Sequence, residues 1–326
     1  MCTSLTLPTP DGYKLFGRTL DLDDHFGEGV ILTPKGYPFC FGGGYPQTHH
    51  YAMVGMAAEA EGYPLYAEAM NEAGLCMAGL RFAGNAAYAD RPETGWLNLA
   101  PWELIPYLLC NYTTVSEVRA ALGEIRVVDR PVSTELPTSP LHWHIADRDP
   151  AHGELVVEVT ARGMAVYDNP VGVLTNNPPF PYQLARLGDY AHLSSIAAEA
   201  TVTPPDCCCA SLGTGAVGLP GDYSSPSRFV RAAILRRWAV AWMEQNRAAG
   251  EDPTPMLFSL LGAVSPTVGA VLTREGKAHR TLYTCCMDGK EGVYRYRAEG
   301  ETGIRSVAFS ECDLMGDRIV LLHEND

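Results

Sequence analysis

Apolar and polar residues alternate in short stretches through the first third of the chain, and turn-forming residues separate these stretches. Such alternation is typical of β-strands that bury one face. The strands predicted from it cover residues 4–7, 13–18, 51–57 and 74–82. The N-terminal part of the chain is therefore predicted to be rich in strands.

Three helices are predicted, two of them consecutive in the sequence. The first predicted helix starts at Pro101, which suits a first helical turn because it has no N–H to satisfy. The next helix starts with a Thr-x-x-Glu capping box formed by Thr114 and Glu117. The strongest helical pattern begins at the Ser-Pro pair 225–226 and continues toward Gly250.

Strands resume between these helices and again near the C-terminus. They are predicted over residues 141–146, 154–160, 164–167 and 172–175, and a final hairpin joins 281–287 to 293–297. No repeat, linker or change in composition divides the chain, so residues 1–326 are predicted to form one domain. Antiparallel strands around a central helical block predict an α+β layered sandwich.

Charge and hydropathy exclude several classes of protein. Lys and Arg number 24 and Asp and Glu number 38, so the net charge of −14 favours neither a nucleic acid nor an anionic membrane as partner. Residues 1–15 lack the apolar run of a signal peptide. Arg231, Arg236 and Arg237 interrupt the apolar run 229–243, well short of the ~20 residues of a membrane span. We therefore expect a soluble, cytoplasmic protein.

The ten cysteines predict neither a zinc site nor a disulfide framework. No two of them have C-x-x-C spacing, and those at 207–209 and at 285–286 are adjacent in the sequence. Most are expected to be small buried side chains in a reducing compartment. Cys2 is the exception.

Two other motifs resemble ligand-binding sites, but their surroundings favour structural roles. Residues 213–218 match G-x-G-x-x-G, yet Pro220 and Gly221 prevent the helix that a dinucleotide site needs, so a loop is predicted. His142 and His144 lie on one face of a predicted strand, and the nearby carboxylates lack metal-ligand spacing. We interpret them as a structural pair and expect neither a metal nor a cofactor.

Cys2 is the strongest candidate for chemistry, because loss of Met1 would leave a thiol and a free α-amino group on one residue. Such an amine titrates near neutral pH and can accept the thiol proton directly or through water. Arg18 and Asp21 follow a strand that can return beside Cys2, where they would stabilise a thiolate and an ammonium. For Cys2 the alternative is that its position after Met1 is accidental. For Arg18 and Asp21 the alternative is an ordinary ion pair at the surface.

Arg228 and Asn176 are weaker candidates. Arg228 lies in the first turn of a predicted helix, where a cation opposes the helix dipole unless a carboxylate or a functional site compensates it. A solvated surface arginine is the alternative. Asn176 and Asn177 end a predicted strand, where their amides can donate hydrogen bonds to a ligand or form an Asx turn. From the sequence pattern alone the turn is favoured.

Several longer segments fit one known pattern. They are Met-Cys-Thr at 1–3, Gly-Arg-Thr-Leu-Asp at 17–21, Met-Asn-Glu-Ala-Gly-Leu-Cys-Met-Ala-Gly-Leu at 70–80, Ser-Pro-Leu-His-Trp at 139–143, Gly-Val-Leu-Thr-Asn-Asn-Pro at 172–178, Gly-Leu-Pro-Gly-Asp-Tyr-Ser-Ser-Pro-Ser-Arg-Phe at 218–229 and Tyr-Thr-Cys-Cys at 283–286. In this order, and over nearly the whole chain, they resemble the choloylglycine hydrolase family of conjugated bile acid hydrolases and penicillin V acylases.

The resemblance implies a fold, an activity and a set of roles. The fold would be the four-layer αββα sandwich of N-terminal nucleophile hydrolases, usually assembled as a homotetramer. The activity would be cleavage of an amide between an acyl group and a small amine without metal or cofactor. Cys2 would be the nucleophile with its own amine as base, Arg18 would lie beside the thiol, and Asp21 would bind the amine. Asn176 would donate to the oxyanion, and Arg228 would complete the polar network.

Arg81 departs from the family pattern, in which bile acid hydrolases have Asn and penicillin V acylases have Tyr. The family uses the backbone N–H of this position as an oxyanion donor, which any residue except proline retains. The Arg81 side chain therefore affects the expected substrate preference and not the chemistry. The family's acyl pocket corresponds to Leu20, Val132 and Leu136.

Conjugated bile acids are the first choice of substrate. Penicillin V and N-acyl homoserine lactones are alternatives within the same class of small N-acyl amides. An inactive ligand-binding homologue, or an oxidoreductase that uses the glycine loop, are alternatives from other classes.

We expect the mature protein to start at Cys2, because the mechanism needs a free amine there. The intact mass of the purified protein checks this, and iodoacetamide should inactivate the protein by labelling Cys2 before any other cysteine. Retention of Met1 in an active preparation would contradict the mechanism. Inactivation that follows labelling of Cys207 or Cys285 would place the nucleophile elsewhere.

Overall fold

The computed structural model describes residues 1–197, 214–246 and 250–324. Its N-terminal part contains β1 (Cys2–Pro8), β2 (Lys14–Leu22), β3 (Glu28–Thr33), β4 (Met53–Ala60), β5 (Tyr63–Asn71), β6 (Cys76–Arg81), β7 (Leu97–Leu99), α1 (Leu104–Asn111), α2 (Val115–Leu122) and β8 (Ile125–Val127). Then follow β9 (Leu141–Ala146), β10 (Glu154–Thr160), β11 (Gly163–Asp168), β12 (Val173–Leu174), α3 (Phe180–Leu187), α4 (Ser225–Asn246), α5 (Thr254–Gly262), β13 (Arg280–Asp288), β14 (Val293–Ala298), β15 (Arg305–Ala308) and β16 (Val320–Glu324).

Most of the described strands belong to two antiparallel sheets. The first sheet has the order β12-β1-β2-β13-β14-β15, and the second has the order β11-β10-β9-β6-β5-β4-β3-β16. Strands β7 and β8 form a separate parallel pair. Each large sheet joins the start of the chain to its end, since β2 pairs with β13 and β3 pairs with β16.

The two sheets stack face to face, and helices cover their outer faces. One apolar cluster packs residues of both sheets together with Phe229 of α4 and Leu257 of α5. A second cluster joins the outer face of the second sheet, represented by Trp143 of β9, to Leu108 of α1 and Val118 of α2. The order of layers is helix, sheet, sheet, helix, so the predicted αββα sandwich is confirmed.

Side chains of β1 point alternately toward the second sheet and toward the helices, as period-two geometry requires. Ser4 lies 2.9 Å from a ring nitrogen of His144 in β9, whereas Thr3 contacts Arg228 of α4. Cys2 shares the face of Ser4. The first residue of β1 is therefore directed into the space between the two sheets.

The sequence patterns locate most elements but miss some. The hairpin of β13 and β14 and the helices near Pro101 and Thr114 are confirmed. Helices α3 and α5 are missed because each begins among prolines, Pro179 and Pro253 being their N-caps. Strand β3 is missed because both its faces are buried, which removes the alternation on which the prediction depends.

The glycine motif and several ends lie at gaps in the described residues. Residues 214–216 form a 3₁₀ turn, which agrees with the predicted loop, while Gly213 and the cysteines at 207–209 lie outside the described residues. Helix α4 is described to Asn246, short of the predicted end near Gly250. None of the helices in the described part of the chain has the length and apolar character to cross a bilayer.

Replacement of Gly17 by alanine should destabilise the protein by about 1–3 kcal/mol, because the added methyl group has no room. A Cβ atom there would lie 2.6 Å from the Cys285 carbonyl oxygen and 2.7 Å from Leu257 Cδ2 of α5. Urea unfolding of Gly17→Ala measures the loss. Gly262→Ala is the matched control, since nothing lies within 4 Å of its added Cβ. Equal stability of the two variants would contradict this packing.

Candidate active site

Cys2 begins β1 inside the first sheet, opposite Leu20 of β2. It is only 5% exposed. The Asp21 backbone N–H donates to the Met1 carbonyl at 2.8 Å, and the Met1 amino group donates to the Asp21 carbonyl. The start of the chain is thus fixed against β2.

Arg18 lies fully buried on β2 and donates hydrogen bonds into the second sheet. Its Nη1 is 3.1 Å from Glu68 Oε2 and 3.1 Å from each of the carbonyl oxygens of Ala67 and Gly79. Its Nη2 has no hydrogen-bond partner among the described residues. Arg18 lies directly opposite Ser4 in the pairing of β1 and β2, so the two side chains point to the same face of the sheet. Cys2 shares that face, so the Arg18 guanidinium and the Cys2 thiol lie on the same side of the sheet.

The charge of Arg18 is sustained by its surroundings. Burial opposes the charged guanidinium, but the electrostatic effects of Tyr283, Cys2 and Glu68 raise its pKa above the ordinary value. Glu68 also accepts hydrogen bonds from the hydroxyls of Tyr283 at 2.6 Å and Tyr294 at 2.7 Å. A permanently charged guanidinium is suited to stabilise a thiolate.

Asp21 is also fully buried, near the start of the chain. Its carboxylate accepts hydrogen bonds from Thr281 Oγ1 at 2.7 Å and Thr19 Oγ1 at 3.3 Å. Burial raises the pKa of Asp21, while Arg228 and the N-terminal amine act in the opposite direction. The carboxylate therefore faces both the amine and a second buried cation.

Arg228 joins α4 to the start of the chain. Its Nη1 donates to the Cys2 carbonyl at 2.5 Å and to Thr3 Oγ1 at 2.7 Å. Its Nη2 donates to Asn176 Oδ1 at 2.8 Å, and its Nε donates to the Tyr223 carbonyl at 3.1 Å. Burial lowers the pKa of Arg228, and the effects of Asp21 and Cys2 oppose that shift. Arg228 is fully buried, so the alternative of a solvated surface arginine is excluded.

A carboxylate that interacts favourably with the dipole of α4 is that of Asp222, just before the helix. It accepts hydrogen bonds from the Ser224 backbone N–H at 2.9 Å and from Ser227 Oγ at 2.6 Å. Hydrogen bonds from Ser224 and Ser227 lower the pKa of Asp222 to about 2. Its negative charge at the start of the helix interacts favourably with the helix dipole, and Asp21 favours the charged form of Arg228.

Asn176 follows β12, and its side chain contacts Cys2. Its Oδ1 accepts from the Cys2 backbone N–H at 2.9 Å as well as from Arg228, and its Nδ2 donates to the Arg81 carbonyl at 2.8 Å. The amide is therefore held by distant parts of the chain and not by the favoured Asx turn. The second N–H of Nδ2 is available to a ligand.

The backbone of Arg81 presents its polar groups on the same side. The Phe82 N–H donates to the Pro140 carbonyl at 2.8 Å, so the alternation of an antiparallel ladder directs the Arg81 N–H and C=O away from β9. The Arg81 carbonyl meets Asn176 there. The Arg81 N–H and the Asn176 amide consequently lie side by side, while the Arg81 side chain is exposed.

The three residues predicted to line an acyl pocket occupy two places. Leu20 is buried opposite Cys2. Val132 and Leu136 lie on the loop before β9, where the Val132 N–H donates to the Leu136 carbonyl at 3.1 Å and Leu136 is 46% exposed. This loop ends at Pro140, beside the Arg81 segment.

His142 and His144 are both fully buried on β9, and each has hydrogen-bond partners there. His142 contacts Glu158 and the Thr175 carbonyl, and His144 contacts Ser4 and Glu154. Among the described residues no group of three or more His, Cys, Asp or Glu side chains could hold a metal ion.

Glu68 is a buried residue of the candidate site that the sequence patterns do not identify. Its one local signal is that it is the single acidic residue within the apolar β5, since its partners Arg18, Tyr283 and Tyr294 are distant in sequence.

The other cysteines of this region are poor nucleophiles. Burial raises the pKa of Cys286 to about 12.

Removal of the Arg228 guanidinium should destabilise the protein strongly. Arg228→Met leaves the Cys2 carbonyl, Asn176 Oδ1 and the Asp21 carboxylate without their buried cation, and a loss of about 3–5 kcal/mol is expected. Urea unfolding followed by circular dichroism measures it. Arg237→Met is the control, because Arg237 is exposed on the same helix and should change stability by less than about 0.5 kcal/mol. Similar losses in both variants would contradict the role of Arg228.

Curated relatives cover nearly the whole chain. A bile salt hydrolase/transferase of Lactiplantibacillus plantarum is 40% identical over 311 residues, which are 95% of this chain and 93% of the relative. A conjugated bile acid hydrolase of Lactobacillus acidophilus is 37% identical over 94% of this chain and 95% of the relative.

Solved structures and a family model agree with these relatives. A mutant conjugated bile acid hydrolase from Clostridium perfringens superposes with a TM-score of 0.89 at 33% identity, covering 98% of this chain and 96% of that chain. A penicillin V acylase from Agrobacterium tumefaciens shares the fold, with a TM-score of 0.75 at 20% identity over 98% of this chain and 90% of that chain. The model of linear amide C–N hydrolases, choloylglycine hydrolase family, matches residues 2–322. The chain therefore belongs to the choloylglycine hydrolase family.

Proposed function

We propose that this protein hydrolyses the amide bond of glycine- or taurine-conjugated bile acids, with Cys2 as an N-terminal nucleophile. The observation that carries the proposal is the convergence of Asn176, Arg228 and the buried Arg18 on the first residues of the chain. The family and the bile acid hydrolases among its relatives support the choice of substrate.

The nucleophile forms when Met1 is removed. The Cys2 nitrogen then becomes a free amine, close to Asn176 Oδ1 and to Asp21. This amine accepts the thiol proton. Arg18 stabilises the resulting thiolate through its unpaired Nη2. Asp21 stabilises the ammonium that the transfer produces.

The thiolate then attacks the carbonyl carbon of the substrate amide. The carbonyl electron pair moves to oxygen, and the oxyanion accepts hydrogen bonds from the second N–H of Asn176 Nδ2 and from the Arg81 backbone N–H. Collapse breaks the C–N bond, and the Cys2 ammonium protonates the leaving amine. Water then hydrolyses the acyl thioester, and the Cys2 amine again serves as the base.

The acyl group is expected to contribute most of the binding free energy. A steroid that buries on the order of 200 Å² of apolar surface gains about 5 kcal/mol. An exposed ion pair contributes about 0–1 kcal/mol. Leu20, Val132 and Leu136 would contact the acyl group, and the exposed Arg81 guanidinium would adjust preference for the carboxylate or sulfonate of the amine part.

A position of Arg81 at the mouth of the site is supported by His279. Burial, the N-terminal amine and Arg81 all lower the pKa of His279, while Asp21 raises it. The N-terminal amine, Asp21 and Arg81 are therefore all close enough to His279 to affect its charge.

The proposed function is tested by incubating the purified protein with glycine and taurine conjugates of cholic acid, with penicillin V and with an N-acyl homoserine lactone, and by measuring the released amine. Release from the conjugates is expected, faster at low than at high salt if Arg81 contacts their anionic group. Cleavage of penicillin V or of the lactone alone would overturn the substrate. Binding without cleavage, with Met1 retained, would indicate an inactive homologue, and binding of a nicotinamide cofactor would indicate an oxidoreductase.

We extend the proposal to organisation and location. Residues 1–326 would form one cytoplasmic domain, as the sequence pattern predicts, and would assemble as a homotetramer, as the family resemblance implies. The free thiols of described cysteines such as Cys76 and Cys110 support a reducing compartment. Sedimentation of the purified protein tests the assembly, and a monomer would contradict it.

Asn176→Ala should lower kcat by roughly 10²–10³ with little change in KM, because it removes one oxyanion donor. Steady-state kinetics with a glycine conjugate measure the effect. Asn111→Ala is the matched control, since its amide donates to the Tyr107 carbonyl at 2.8 Å in a distant helix. A rise in KM with an unchanged kcat would mean that Asn176 binds the ground state.

A further inference from the structure

His142 contacts both segments that carry the proposed oxyanion donors. It lies fully buried on β9 between the two sheets. Its ring stacks on Phe82, with centroids 4.3 Å apart and planes at 7°, and Phe82 directly follows Arg81. Its Nε2 lies 2.9 Å from the carbonyl oxygen of Thr175, which directly precedes Asn176.

The hydrogen bonds of His142 fix its ring at both nitrogens. The Thr175 carbonyl can only accept, so Nε2 carries a proton and donates it. Nδ1 lies 3.2 Å from Glu158 Oε1, which also accepts the Phe180 N–H at 2.8 Å. The Glu158 carboxyl group is therefore within hydrogen-bond distance of the second ring nitrogen. The ring is thus held by two hydrogen bonds and by one stacked face.

The two oxyanion donors belong to different sheets, so no single element sets the distance between them. Asn176 follows β12 at the edge of the first sheet, and Arg81 ends β6 in the second. Their direct link is the hydrogen bond from Asn176 Nδ2 to the Arg81 carbonyl. Nearer the surface, Asn177 adds a link to the Ala83 carbonyl. His142 supplies the buried link.

We propose that His142 is a positioning residue, which sets the separation of the Arg81 N–H and the Asn176 amide. This inference rests on the proposed function. His142 touches neither the thiol nor the substrate, and it acts through Phe82 and Thr175. Small displacements of reacting groups are costly, since about 1 Å can lower a rate about 10²-fold. Loss of His142 should therefore weaken binding of the oxyanion and leave the nucleophile unchanged.

The test compares two variants. His142→Phe keeps a flat ring against Phe82 but removes both ring nitrogens. His142→Gln keeps a donor for the Thr175 carbonyl but loses the stacking. The readouts are kcat and KM for a glycine conjugate, the alkylation rate of Cys2 by iodoacetamide, and inhibition by the aldehyde of the same bile acid. The Cys2 sulfur adds to the aldehyde carbon and the thiol proton moves to its oxygen, which then occupies the oxyanion position.

His142→Phe is expected to lower kcat and aldehyde affinity together, by roughly 10–10². Its KM and Cys2 alkylation rate should stay near those of the wild type. His142→Gln should lower the same two quantities by a smaller factor, about 3–10. His144→Phe is the matched control, because His144 is equally buried on β9 and bonded to Glu154. It should lower thermal stability without changing aldehyde affinity.

The inference is overturned if His142→Phe loses stability as His144→Phe does while kcat and aldehyde affinity stay unchanged. If His142→Phe does not fold, His142→Gln decides, and wild-type values of both quantities in that variant would overturn the inference. A wild-type protein that cleaves a different N-acyl amide would overturn the substrate alone. The His142 variants would then be compared with the aldehyde of that acyl group.

Discussion

The hydrogen bonds of Arg228 are the interaction on which the rest of the site depends. Chain termini ordinarily fray because few contacts hold them. Here Arg228 binds the Cys2 carbonyl and the Asn176 amide oxygen, and that amide oxygen in turn accepts the Cys2 N–H. One buried guanidinium thus fixes the first strand, a helix and the segment after β12 relative to each other. A terminal residue acquires the rigidity of a core position.

Burial of charge at this site is balanced in pairs. Arg18 lies against Glu68 between the sheets, and Arg228 faces Asp21 beneath the start of the chain. Removing one member of such a pair leaves an uncompensated charge, which is costly in a low-dielectric interior. Two tyrosine hydroxyls complete the shell of Glu68, so the negative charge opposite Arg18 keeps its position. The cation beside the thiol is therefore fixed by the same contacts that join the sheets.

What the sequence could predict depends on whether the signal was local. The β13–β14 hairpin and the capping box at Thr114 are local patterns, and both are present in the structure. The local signal of Arg228 is a positive charge in the first turn of a helix, and that of Cys2 is its position directly after Met1. For Arg18 and Asp21 the local signal was a strand able to return beside Cys2, whereas an oxyanion role for Asn176 was expected only from the family resemblance. Glu68 could not be found, because it is defined by contacts with distant strands.

The topology delays completion of the sheet that carries Cys2. Strand β2 is completed only when β13 pairs with it, and β13 begins at Arg280. At about 5–20 residues per second, a ribosome needs on the order of tens of seconds to reach that strand. Until then β2 can pair with β1 but lacks its second neighbour, and in the complete sheet Cys2 is buried. Under the proposed mechanism, synthesis of the chain therefore gives an aminopeptidase a period in which it can reach Met1 before the sheet is complete.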